Sequence, residues 1–136
     1  MTKTMDNVTE VIKNFLEEKD YKIKDIDDKG IISVCYQMNI IQICPGSESD
    51  NFINMVLPRI DEIDEERPLP SIMNCMHVVT QLMVAKAYPL AQDNVVVSYE
   101  FFFKNEEDLL FQIENGFDSL IAAKVKYRKF KEENNG

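Results

Sequence analysis

Val8, Val11, Ile12, Phe15 and Leu16 fall at i, i+3, i+4, i+7 and i+8, with Thr9, Glu10, Lys13, Asn14, Glu17 and Glu18 between them. An apolar stripe of that period belongs to an amphipathic helix lying on a core. Asn7 followed by Glu10 has the pattern of a capping box, which would satisfy the free amides of the first turn.

After this helix the period shortens. Residues 21–27 alternate loosely, and Asp27-Asp28-Lys29-Gly30 supplies a turn. Residues 31–36 and 39–44 are β-rich and are predicted to pair as a hairpin across Gln37-Met38, a link without the usual Asn-Gly chemistry. Pro45 to Asp50 is a loop by composition. Residues 52–57 fit a fourth strand or a helical turn. Pro58 has no amide hydrogen, so a strand here is expected at a sheet edge or to end near that point. Asp61, Glu62, Asp64, Glu65 and Glu66 read as a solvated acidic segment.

Pro68 and Pro70 prepare a central helix over roughly residues 70–81. It is apolar around most of its girth (Ile72, Met73, Cys75, Met76, Val78, Val79), with a narrow polar stripe of Asn74, His77 and Gln81. A helix so sparingly polar is expected to pack on two sides, one against a sheet and the other against a second helix or another subunit. Two strands follow, residues 82–88 and 95–103, joined by a turn near residues 91–94. In the second, Val95, Val97, Tyr99, Phe101 and Phe103 share one face, and Val96, Ser98, Glu100 and Phe102 the other. Asn105 caps a closing helix with Glu106, Glu107 and Asp108 in its first turn. Its apolar stripe is Leu110, Ile113, Phe117, Leu120 and Ile121. Lys124, Lys126, Arg128, Lys129 and Lys131 gather toward its end, where the helix dipole favours cations. The predicted class is α+β, one antiparallel sheet with helices packed on it, in the order α-β-β-β-(β)-α-β-β-α.

Length supports one domain over residues 1–136, with 132–136 a frayed tail. Fifteen basic against 24 acidic residues give a net charge of −9. Such a field opposes nucleic acid and favours solubility or a basic partner. No apolar run is long enough to span a membrane, and Met1 to Asp6 lacks a signal-peptide core. Cys35, Cys44 and Cys75 are odd in number and widely spaced, which suits reduced thiols in the cytoplasm.

Candidate chemistry is sparse. His77 is the only histidine, and Cys75 two residues before it on a helix does not face it. One histidine and scattered cysteines do not make a zinc site, and the Asp61–Glu66 run lacks the spacing and glycine of a calcium loop. No metal or cofactor is expected. Glu100 on an apolar strand is the carboxylate whose surroundings bear watching, since apolar neighbours tune catalytic acids. The four glycines form no phosphate-binding loop. No catalytic residue is assigned.

Ile72-Met73-Asn74, then Met83-Val84-Ala85-Lys86-Ala87, then Val96-Val97-Ser98-Tyr99-Glu100-Phe101-Phe102 resemble segments of the YbjN-like family of bacterial proteins, over most of residues 7–130. That family is similar in fold to the type III secretion chaperones. The resemblance implies an α+β sandwich without catalytic residues and a regulatory or chaperone-like role. Chaperones of that fold are typically homodimers that hold an extended partner segment. The expectation is therefore a non-catalytic domain that binds another protein, through Met73 and Met76 on the central helix or through a free sheet edge. The alternative is a small-ligand-binding domain or hydrolase with Glu100 or His77 lining a pocket between sheet and helices.

Overall fold

The computed structural model describes residues 8–46, 51–79, 85–90 and 93–134. Helix α1 (Val8–Glu18) leads, followed by strands β1 (Lys22–Ile26), β2 (Ile32–Tyr36), β3 (Asn39–Pro45) and β4 (Phe52–Glu62). Helix α2 (Leu69–Val79), strands β5 (Lys86–Leu90) and β6 (Asn94–Phe102) and helix α3 (Glu106–Asn134) complete the order. The six strands form one antiparallel sheet in the order β1-β2-β3-β4-β6-β5. The α+β class and element order are those predicted from the sequence. Asn7, Gln81 and the start of the strand expected at 82–88 lie outside the described residues.

The β2–β3 hairpin forms at Gln37-Met38 as expected, and its chemistry is now plain. Both residues adopt positive φ (48° and 66°), as the mirror-image turn of a two-residue hairpin demands. Asn39 Nδ2 donates to the Gln37 carbonyl at 2.8 Å and helps hold that turn.

Pro58 does not place β4 at an edge or end the strand. β4 lies in the sheet interior between β3 and β6, and its pairing with β6 shifts between Leu57 and Asp61. The bulge takes up the residues around the proline, with Arg59 at φ 51°, so the missing amide hydrogen falls where the ladder is already interrupted.

Alternation along the strands divides the sheet into two unlike faces. Ile32, Val34, Ile41, Ile43, Ile53, Met55, Leu57, Val95, Val97, Tyr99 and Phe101 are buried in one cluster with Ile12 and Leu16 of α1, Cys75 and Val78 of α2 and Leu109 to Tyr127 of α3. All three helices therefore cover this face. Cross-strand register puts Ser33, Gln42, Val56, Ser98 and Lys86 in one row of the other face, with Cys44, Asn54 and Glu100 in the next. No described helix packs there.

Helix α3 begins as predicted: the Asp108 amide donates to Asn105 Oδ1 at 2.8 Å, and the Lys104 amide to Asp108 Oδ2 at 2.9 Å. Its buried stripe is Leu109, Ile113, Phe117, Leu120, Ala123 and Tyr127. At Gly116 an added Cβ would stand 2.3 Å from Met55 Sδ and 3.0 Å from Tyr99, so the glycine lets α3 lie close on β4 and β6.

Candidate functional site

Helix α2 starts in a proline pair that removes donors only where the first turn would leave them free, and the Ile72 amide bonds the Pro68 carbonyl at 3.2 Å. Ser71, Asn74, Cys75 and Val78 turn inward at i, i+3, i+4 and i+7, toward β5 and α3. Leu69, Met73 and Met76 form the opposite stripe at i, i+4 and i+7, with 62%, 57% and 67% of their surfaces exposed. Val79 is exposed beside them. The apolar girth of the helix thus has one partnered side and one open side.

The polar stripe expected on α2 divides: Asn74 turns inward while His77 is exposed, and Gln81 lies outside the described residues. Asn74 is buried at the junction with α3. Its amide nitrogen sits beside the Tyr127 hydroxyl and favours the phenolate slightly, without reaching hydrogen-bond geometry. His77 lies with its ring stacked on Phe130, centroids 3.8 Å apart and planes 15° apart. Cys75 faces the core, and burial, with Asp61 nearby, pushes its thiol up to about 11. A thiol so placed is a poor nucleophile at neutral pH.

Next to Asn74 is a polar junction that sequence reasoning missed. Asp61, expected in the solvated acidic run, has only 8% of its side chain exposed. Tyr127 donates its hydroxyl to Asp61 Oδ2 at 2.8 Å and Lys131 Nζ approaches Oδ1 at 2.6 Å. Register explains the difference: the bulge returns Asp61 opposite Val95, on the helical face of the sheet, while Glu62, Asp64, Glu65 and Glu66 remain exposed. Burial, then the bond to Asp61, holds the Tyr127 hydroxyl far above the ordinary tyrosine range. Arg128 reaches the Ile60 carbonyl at 3.5 Å, and Lys124 donates to Asn39 Oδ1 at 2.5 Å. Burial, with Arg128 close, lowers the affinity of Lys124 for its proton. Three of the five bases assigned to dipole complementation therefore tie α3 to strands.

Glu100 stands on the open face of the sheet, ion-paired with Lys86 of the neighbouring strand. That bond raises the Lys86 proton affinity. Glu100 and His77 belong to opposite faces of the sheet, since α2 packs with the helices. They do not converge on one point. A cleft at the start of α3 is lined by Lys104, Asn105, Glu107, Asp108 and Phe111, and another between α1 and α3 by residues including Val11, Phe15 and Leu110. Neither contains His77 or Glu100. Among the described residues no three histidine, cysteine, aspartate or glutamate side chains gather as a metal site, and no described helix is long and apolar enough to cross a membrane.

No family model matches this sequence, and no curated protein does. Solved structures do. YbjN from E. coli, described as a putative transcription regulator, superposes with a TM-score of 0.68 at 11% identity over 90% of this chain and 92% of its own. The chain has the YbjN-like, type III secretion chaperone-like fold. An uncharacterized protein from Methanothermobacter thermautotrophicus matches with a TM-score of 0.63 at 18% identity, covering 94% of this chain and 99% of that one. The Yersinia pestis type III secretion chaperone SycH, solved with a fragment of YscM2, matches at 0.60 and 12% identity, over 88% and 98% of the two chains. The YbjN-like resemblance seen in the α2, β5 and β6 segments thus holds at the level of fold.

Proposed function

We propose that this chain is a non-catalytic protein-binding domain of the cytoplasm, a chaperone-like or regulatory adaptor, which takes its partner on the open side of α2. The observation that carries this reading is the exposed stripe of Leu69, Met73 and Met76 on a helix whose opposite side is fully engaged. Methionine is unbranched and polarizable, so a stripe of this kind accommodates side chains of varied shape. A chaperone of the same fold is bound to a fragment of another protein in the SycH complex, which supports the assignment of a polypeptide partner. The net charge of −9 adds a preference for a segment carrying basic residues.

Affinity purification from the native host tests this with a paired bait. The wild-type chain retains a discrete polypeptide that the double variant Met73→Glu, Met76→Glu loses, while both give the same circular dichroism. Equal recovery by wild type and variant overturns the assignment to α2.

A further inference from the structure

We infer that the occupant of the open side of α2 is an amphipathic helix of a partner protein, laid antiparallel to α2 with a basic last turn over the acidic turn that precedes Leu69. The inference rests on the α2 reading above and adds the form, direction and charge of the partner segment.

Helix α2 turns its more apolar side to water. It buries Ser71, Asn74, Cys75 and Val78 and exposes Leu69, Met73, Met76 and Val79. His77 is the one polar side chain among the exposed residues of this helix. A helix arranged in this way gains free energy from a cover on its outer side.

Backbone hydrogen bonding selects the form of that cover. A helix face presents side chains only, and those of this stripe are apolar. An extended segment lying on them would leave its own amides and carbonyls unpaired on that side. A helix satisfies its backbone internally and can set a ridge of side chains between Leu69, Met73 and Met76. The sheet edges, where an extended segment would find backbone partners, are both guarded. β1 has a bulge between Ile23 and Asp25 and exposes Lys22, Lys24 and Asp25. β5 exposes Lys86 and contains Pro89, which has no amide hydrogen.

Charge sets the direction. Glu62, Asp64, Glu65 and Glu66 are exposed in the stretch that leads into α2, with Arg67 as the base among them. The turn is ordered: the Glu66 amide donates to Asp64 Oδ1 at 3.0 Å and the Arg67 amide to the Asp64 carbonyl at 2.9 Å. Four acids against one base leave −3, which outweighs the positive pole of about half a charge at the start of α2. Cations in the last turn of a helix are favoured by that helix's own dipole. A partner helix with its basic C-terminal turn over Asp64–Glu66 therefore runs antiparallel to α2 and satisfies both fields. A second copy of this chain brings a net charge of −9 to the same turn and is the poorer match.

A fluorescein-labelled peptide of about 15 residues, long enough to span the 11 residues of α2, tests the inference. It carries leucines at helical spacing and lysines in its last turn only, and is titrated into the full chain with anisotropy as the readout. Saturable binding is expected, with a gain of peptide helicity by circular dichroism. Affinity should fall at least about tenfold for Met73→Glu and for Glu65→Lys combined with Glu66→Lys. The same loss is expected for a peptide with its lysines moved to the first turn and for one with prolines at its centre. Glu17→Lys combined with Glu18→Lys makes the same change of net charge on α1 and should leave affinity within about twofold.

No saturable binding, equal binding of the proline or lysine-first peptide, or an equal loss from the α1 pair overturns the inference. So does a wild-type chain that sediments as a dimer and becomes a monomer with Met73→Glu, since a second copy would then hold the stripe. Each of these failures leaves the α2 reading standing while the paired baits still differ in the polypeptide they recover. Baits that recover the same partner bring down both.

Discussion

Tyr127 donates its hydroxyl hydrogen to Asp61 Oδ2 at 2.8 Å and so joins the last third of α3 to the bulge of β4, 66 residues away in sequence. Tyr127 is fully buried and Asp61 nearly so, and Lys131 closes the carboxylate from the solvent side. The α2–α3 junction, on which the exposed stripe of α2 depends for its position, is built around this contact.

Removing the hydroxyl with Tyr127→Phe should cost about 1–2 kcal/mol, since a hydrogen bond to a charged acceptor is lost while Lys131 still faces Asp61. Asp61→Ala should cost more, about 2–3 kcal/mol, because it strands a buried hydroxyl as well. Urea unfolding monitored by circular dichroism measures both. The contrast is Glu100→Gln, which breaks an ion pair whose lysine is half in water; it should change stability by less than about 1 kcal/mol.

Alkaline pH provides a separate test. The bond from Tyr36 to Asp118, helped by burial, pushes the Tyr36 phenol up to about 12, and burial pushes that of Tyr127 higher still. Folded pKa values above the ordinary tyrosine value near 10 mean that folding retains protons which the unfolded chain gives up. Stability from these groups is therefore complete below about pH 10 and is lost as pH rises through about 12. Urea midpoints should fall across that window, and Tyr36→Phe should flatten the decline. A midpoint that holds or rises above pH 10 contradicts the account.

Gly116→Ala should destabilise the fold by about 1–2 kcal/mol, although alanine favours a helix by about 1 kcal/mol over glycine. The new methyl would overlap Met55, a fully buried side chain between α3 and the sheet with little room to move aside. Thermal unfolding reads the sign directly. Stabilisation would show that α3 can lift from β4 at little cost.

Much of this architecture was legible because the burial period repeats cleanly. Ile12, Phe15 and Leu16, or Val95, Val97, Tyr99 and Phe101, declare their faces within a few residues. Positions set by long-range register were not. Asp61 sits among exposed acids and looks like them until a bulge at Pro58–Ile60 turns it toward α3, and nothing local announces that bulge beyond the proline itself. Asn74 shares a local polar stripe with His77, yet the buried spacing Ser71, Asn74, Cys75, Val78 puts it inward once α2 has β5 and α3 as neighbours. Tyr127 continues the α3 stripe of Phe117 and Leu120, a signal obscured by the lysines and arginine around it. Met73 and Met76 could be nominated from their residue type, but only the packing of α2 shows that their side is open.

Site-specific photocrosslinking in the native host tests the contact role of α2 most directly, with a benzophenone amino acid placed at Met76 and, as a control, at exposed Lys29. The account predicts a discrete adduct with another polypeptide from position 76 and none from position 29. Adducts of equal yield at both positions, or none at Met76 while the chain is folded and abundant, would contradict it.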